Sequence, residues 1–580
     1  MKKILISAMA LSMVALTACN DFLDVVPDTR VKLTNVEQCR QLLVDAYSSS
    51  SYAAVCELSS DNITDNNSPS PTGIRYNRPN YAQTDEELYT WSDVKNGMGN
   101  ETPSGVWSGC YGAIADANAV LQALDKLMAE GQVTEADMPK YNAVRAEALL
   151  CRAFHHFILV NVFCMPYRGP QQTDLGITYI TEPEDKVSPQ YERGTVPEVY
   201  DKIEKDLTEA LGMVTDTYYE VPKYHFNKRA ANAFAARFYL FKRDYPKVIE
   251  YANLAFDGLD PSSAMNDIWG KSSQFYEPDN MGKYYTSTER PGNFMCMSSY
   301  STWARRAGYR FTLNREAKRC TVQGPGPTWR GCQWQNSTVE DAFNKYFAMH
   351  PCFRGMLYLS GDAEWGLYFL PIQCEQFEYT DKIQGIGYAH MVRAEFTAEE
   401  TLLCRAEAKA FMQDIDGCVE DLKIWDFARR KGLPKSETKY MEDSLTRANI
   451  EYFYRDDETA SGEEVGFGIV KDIHIDEVCP SNYPLTDNIK PYVQCVQHFR
   501  RIELVHTGMR WFDIKRLGLE VVHKYGRDAV LTLKPLDRRY AIQIPTEVLS
   551  AGIEPNDRES ITTPSPIMLP DTTGLIMVNY

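Results

Sequence analysis

Apolar residues recur every three to four positions in several stretches of the chain, and each stretch predicts one face of an amphipathic helix. Ile114, Ala117, Leu121, Leu124 and Met128 form one stripe. Ala146, Leu150, Ala153, Phe157, Val160 and Cys164 form a second, and Ala231, Phe234, Phe238 and Phe241 a third. Alanine recurs on these faces, which lets neighbouring helices approach closely. Two long stretches lack this period. The first, about 59–105, holds Asn66, Asn67, Pro69, Pro71, Tyr76, Tyr81 and Trp91; the second, about 261–395, is dense in Gly, Pro, Tyr and Trp. Irregular segments of such length in a compact body usually carry function. Alternation over 530–544 predicts short strands, and the Pro/Thr-rich tail after Pro555 is expected to wrap the surface.

One stretch is more specific. Arg243-Asp244-Tyr245-Pro246 runs through Tyr251-Ala252 to Ala255-Phe256 and Asp260-Pro261. It resembles the second helix of a tetratricopeptide repeat, with a small residue near its end and a closing proline. Residues 232–241 would be its first helix, and weaker echoes occur at 141–163 and 401–430. A single repeat cannot bury its own face, so several must stack. The expected fold is mainly α: an irregular tetratricopeptide-like scaffold of helical pairs, with long loop-rich insertions and a few short strands.

Composition narrows the class. Of 580 residues 44% are hydrophobic, enough for a sizeable core and inconsistent with overall disorder. The formal charge of −18 argues against a general nucleic-acid binder, because counterion release needs Lys/Arg-rich surfaces. No apolar run reaches the length of a bilayer span. The N-terminus adds a location. Met1-Lys2-Lys3 precedes an apolar stretch at 4–16 that is broken only by Ser7 and Ser12, then Leu16-Thr17-Ala18-Cys19. This order resembles a bacterial lipoprotein signal, so residues 1–18 are expected to be a signal peptide and Cys19 the lipidated first residue of the mature chain. Several acyl chains on one residue would attach it firmly to a membrane. Of the 15 cysteines, most are expected to be free and buried; Cys320 and Cys332, flanking a Gly/Pro-rich loop, are the pair best placed for a disulfide.

Catalytic and metal motifs are missing. There is no H-E-x-x-H, no G-x-S-x-G and no C-x-x-C pair. Gly270-Lys271-Ser272 lacks the glycine a phosphate loop needs at position 265, which is Met. No calcium loop of the D-x-[DN]-x-[DN]-G type occurs. His155-His156 falls in the middle of a helical pattern, one facing the core and the other solvent. No catalytic residue, metal ligand or cofactor is assigned.

Five blocks together resemble the SusD/RagB family of outer-membrane lipoproteins. Cys19-Asn20-Asp21-Phe22-Leu23-Asp24 leads to Pro27. Trp107, Tyr111, Ile114 and Asn118 share one helix, and Ala146-Glu147-Ala148 through Arg152-Ala153-Phe154 another. Arg500-Arg501-Ile502-Glu503-Leu504 and Gly508-Met509-Arg510-Trp511-Phe512-Asp513-Ile514-Lys515-Arg516 form the C-terminal signature, within about 496–550. Ile544-Pro545 and Glu547 follow it. Phe499 and Thr507 depart from the glutamates usual there, which reads as local repacking. The signature residues are expected to be structural, with Trp511 and Phe512 in the core and Arg510 paired with a carboxylate. The resemblance implies a single SusD-like α-α superhelix over 19–580, lipid-anchored on the exterior of the outer membrane. It also implies a non-enzymatic role: capturing an oligomeric nutrient and passing it to a SusC-like, TonB-dependent transporter.

A sugar ligand presents C–H faces to aromatic rings and hydroxyl rims to planar polar groups. The two irregular regions supply Trp91, Tyr300, Trp303, Trp329 and Trp334, with Asn66 and Asn67 as polar partners; Trp107, Trp425 and Trp511 fall on helices and read as core. Against the acidic whole, Arg290, Arg305, Arg306, Arg310, Arg315, Lys318, Arg319 and Arg330 face Glu316 alone. Three readings stay open. These cations pair with carboxylates from elsewhere, or Arg305 and Arg306 join a basic face for an acidic oligosaccharide or polysaccharide, or the run docks an acidic transporter surface. Peptide capture, a surface hydrolase and a ligand-free repeat scaffold are the competing functions.

Overall fold

The computed structural model describes residues 33–69, 78–95, 97, 99–184, 191–265, 278–313, 317, 321, 325–328, 357–358, 368–369, 372, 375–429, 445–456 and 468–558. Its principal helices are α1 (Val36–Leu42), α2 (Ala53–Ser59), α3 (Gln83–Tyr89), α4 (Pro103–Ala129), α5 (Met138–Phe163), α6 (Val196–Leu211), α7 (Lys228–Lys242), α8 (Tyr245–Ala255), α9 (Ala398–Phe411), α10 (Ile415–Arg429), α11 (Arg447–Phe453), α12 (Lys490–Glu503) and α13 (Met509–Leu517). Helix starts follow local chemistry. Thr102 caps α4 by accepting from Gly105 N, with Pro103 at the first helical position; Thr195 and Glu198 form a reciprocal capping box on α6.

The expected helical pairs are present. α7 and α8 pack together, joined by Arg243 in the left-handed region (φ 58°) and by Asp244, whose side chain accepts from Lys247 N. α9 pairs with α10, and α5 packs between α4 and α6. The repeat helix α7 begins at Lys228, four residues before the alanine-rich pattern, because Asn227 supplies its cap. α5 is long and apolar enough to cross a membrane, but its most apolar 18-residue stretch is wholly buried here in the core. Phe154 on α5 meets Phe226, Phe234 and Phe396, tying three segments into one aromatic cluster.

Four expectations need correction. On α4 the stripe drifts, so Leu127 is buried and Met128 is exposed. His155 and His156 are both buried: each Nδ1 bonds the carbonyl four residues back, and each Nε2 accepts a backbone N–H, from Ser48 and Ile180 respectively. Burial pulls His155 down to about 4, so it joins the Ser48 segment to α5 as a neutral ring. The region 261–395, read as irregular, contains β1 (Asn293–Tyr300), β2 (Gln376–Asp381) and most of β3 (Ile386–Thr397), an antiparallel sheet ordered β1-β3-β2. At the C-terminus the strands are β4 (Val521–Tyr525) and β5 (Ala529–Leu533); 534–544 leaves the sheet, and Ile542 N donates to Val162 O on α5 instead.

All ten described cysteines are free and buried. Cys19, Cys320 and Cys332 lie outside the described residues. The start of the tail is pinned: Asn556 Nδ2 donates to the carbonyls of Phe163 and Ile542.

The C-terminal signature forms a buried charge lattice. Arg237 on α7 bonds Glu395 (2.8 Å) and Glu400 (2.6 Å). Arg500 bonds Asp513, and Arg516 joins Asp513 to Glu407 on α9. Arg429 reaches Glu503 (2.5 Å) and Glu399, which also pairs with Arg290. Arg510 pairs with Asp61 through Nε (2.8 Å) and Nη2 (2.9 Å), as expected of it. Trp425 and Trp511 are fully buried, and Trp107 packs against the core. Gly508 (φ 86°) opens α13 where a Cβ would lie 2.9 Å from Ala53 Cα, so glycine lets α13 sit against α2.

Candidate functional site

An open cleft of about 840 Å³ lies between the loop before α4, the start of α3 and one end of the sheet. Gly105 brings that loop close: a Cβ there would stand 2.0 Å from Gly99 O. The cleft is lined by Asp85, Asn100, Glu101, Thr302, Arg306, Tyr300 and Tyr388, among others.

The two tyrosines come from neighbouring strands. Tyr300 pairs with His390 across β1 and β3, and Tyr388 lies two positions along β3, on the same face by strand alternation. Their ring centroids are 5.6 Å apart, tilted by 57°. They are 37% and 57% exposed, so both rings offer apolar surface to a solute. Ser49 O accepts from Tyr300 N (2.8 Å) and fixes that end of the strand.

The polar wall is internally ordered. Arg306 Nη1 bonds Asp85 Oδ1 at 2.7 Å, and its Nη2 stands 3.5 Å from Glu101 Oε2. Glu101 also accepts from Thr302 N (3.0 Å) and from the hydroxyls of Thr302 and Ser301. Burial pushes the Asp85 carboxyl up, against the pull of Arg306. Fixed carboxylate and guanidinium groups beside exposed rings can hold hydroxyls without rearranging. Among the described residues no group of His, Cys, Asp and Glu is arranged to hold a metal ion.

The candidates chosen from sequence divide sharply. Tyr300 and Arg306 line the cleft. Trp91 does not: it is 5% exposed, stacked on His523 at 4.4 Å, and donates Nε1–H to Ser59 O; its φ of 54° is held by that packing. Trp303 is buried, 6.5 Å from His506. Asn66 donates to the carbonyls of Tyr309 and Arg310, and Asn67 bonds both backbone groups of Arg78, so these amides tie loops together. Arg305 lies in the helical turn Trp303–Gly308, with its side chain outside the described set. Trp329, Trp334 and Cys19 are outside it too. Of the basic run, Arg290, Arg306 and Arg310 are paired with Glu399, Asp85 and Asp65. For these three the reading of cations matched by distant carboxylates holds. Tyr388, Asp85 and Glu101 were missed. The alternation Ile386, Tyr388, His390 was the available signal for the first.

Residues 21–240 match a family model described as SusD-like, starch-binding and associating with the outer membrane. No curated protein matches the chain. Among solved structures, a SusD superfamily protein from Bacteroides vulgatus is 17% identical with a TM-score of 0.54, covering 90% of this chain and 98% of its own. A SusD-like protein from Bacteroides fragilis is 14% identical with a TM-score of 0.55, covering 90% and 96%. A SusD-like carbohydrate binding protein from Bacteroides vulgatus is 15% identical with a TM-score of 0.51, covering 90% and 97%. The chain thus matches the SusD-like family over residues 21–240 and has the SusD superfamily fold over nine-tenths of its length.

Proposed function

We propose that this protein is a surface lipoprotein that captures an oligomeric glycan and hands it to a TonB-dependent, SusC-like transporter in the outer membrane. In this reading residues 1–18 are removed, Cys19 carries the lipid, and residues 19–580 form one binding body facing the cell exterior. The observation that carries it is the Tyr300–Tyr388 ring pair, exposed at the rim of a cleft whose other wall holds the paired Asp85, Glu101 and Arg306. Exposed rings cost solvation unless something covers them, and sugar C–H faces suit them. Binding without chemistry fits the lack of a nucleophile motif. The test is a glycan-binding screen by calorimetry on the form lacking residues 1–19, repeated with Tyr300→Ala/Tyr388→Ala. Binding lost in the double variant, with unfolding unchanged, is expected; product release from an oligosaccharide by the purified protein would overturn the non-enzymatic reading. Recovery of a TonB-dependent barrel with the lipidated protein from outer membranes tests the delivery step.

A further inference from the structure

Beyond Tyr300 the cleft does not end. A second groove, of about 540 Å³, lies on its other side and shares Tyr300 and Ser49 with the first. The sheet explains the continuity. Tyr300 pairs with His390, and Tyr388 with Glu378, so strand alternation places all four on one face. Tyr388 lines the first groove, Glu378 and His390 the second, and Tyr300 both. Each groove alone falls within the roughly 300–1,000 Å³ of a small-ligand pocket, so together they suit a chain of units and not a single one.

The second groove has its own recognition groups. Tyr224 is 42% exposed on its wall. His390 Nδ1 has no hydrogen-bond partner among the described residues, and the nearest carboxylate oxygen, Glu378 Oε2, is 3.9 Å away. A buried ring nitrogen left without a partner is costly, and a ligand hydroxyl or amine would supply one. The charge is one-sided. Among the described lining residues of the two grooves, Asp45, Asp85, Glu101 and Glu378 are set against Arg306 alone. Lys223, next to Tyr224, is turned away and donates to Arg290 O at 2.6 Å.

Resting on the glycan reading above, we infer that the second groove is a further subsite for the same oligomer. It takes neutral or amino-bearing sugar units and rejects uronic or sulfated ones, since an anion there would meet Asp45 and Glu378 with no Lys or Arg among the groove's described lining residues. The test begins with a panel of neutral, amino-bearing and uronic polysaccharides, followed by a length ladder of fragments from the tightest binder, measured by calorimetry. The unaltered protein should show affinity rising with length in two stages, the second worth about tenfold. Tyr224→Ala and Glu378→Gln, both at exposed positions, should abolish the second rise, while Tyr388→Ala weakens every length. Affinity that saturates at the shortest fragments, or a second rise that survives both groove variants, overturns the subsite and leaves the glycan reading standing. Tightest binding to the uronic member overturns the charge assignment, and no binding anywhere in the panel overturns both proposals.

Discussion

Arg237 and Arg306 each hold two carboxylates, in opposite settings. Arg237 is 1% exposed and sits in the charge lattice between α7, β3 and α9; Arg306 stands on the wall of an open cleft. In the lattice each charge is buried against another, so a missing partner leaves an ion poorly compensated. At the cleft, water reaches one side, and pairing fixes direction more than it stabilises. The same residue chemistry therefore builds a rigid frame in one place and a shaped, wettable surface in the other.

Removing one lattice partner should have the largest effect. Arg237→Ala removes both short ion pairs of that arginine, leaving Glu395 to Arg393 and Tyr52 and Glu400 to Arg500 at 3.9 Å, and is expected to lower the unfolding free energy by about 3 kcal/mol in urea titrations. A loss near zero would mean that the lattice is hydrated and the comparison empty.

A buried carboxylate without a cation sharpens the contrast. In the lattice, burial pushes Asp513 up, but Arg500 and Arg516 outweigh it and hold the group below its ordinary range. Glu57 accepts from Asn62 Nδ2, Gly508 N, Ser60 Oγ and the backbone of His506 but has no ion pair among the described residues, and burial raises it to about 7. A raised acid contributes stability that is complete below its ordinary value of 4.5 and is lost as pH climbs through 7. Unfolding near pH 5 and near pH 8 should differ by up to about 3 kcal/mol from this group, a dependence that Glu57→Gln flattens.

The cleft should respond in the reverse sense. Tyr388→Ala alone is expected to weaken glycan affinity about tenfold while moving stability by less than about 1 kcal/mol. A variant that unfolds as readily as it loses ligand would make the ring part of the frame. The smallest effect belongs to Arg447–Asp416, an ion pair on the open surface at 2.5 Å. Arg447→Ala should shift the urea midpoint by no more than about 0.5 kcal/mol of stability, which sets the baseline for the other three.

Much of the frame was legible along the chain. The stripes of α5 and α7, the repeat-like α7–α8 pair, and Arg510 as an ion-pair residue all follow from spacing or motif, because a helix face is a local, periodic property. The site was less so. Trp91 and Trp303 have the right chemistry for a ligand but are buried, and Asn66 and Asn67 spend their amides on backbone carbonyls. Nothing local distinguishes a tryptophan stacked on His523 from one at a rim. Conversely, Tyr388 becomes a partner of Tyr300 only once β3 pairs with β1 across almost ninety intervening residues.

The sequence by itself determined the helical scaffold and the acidic balance, since these depend on periodicity over a few turns or on composition. Tertiary structure alone decided which aromatics face solvent, which arginines are neutralised, and that Tyr300 stands between two grooves. Those facts depend on strand register and on carboxylates brought from distant segments, and each is settled only when the chain closes on itself.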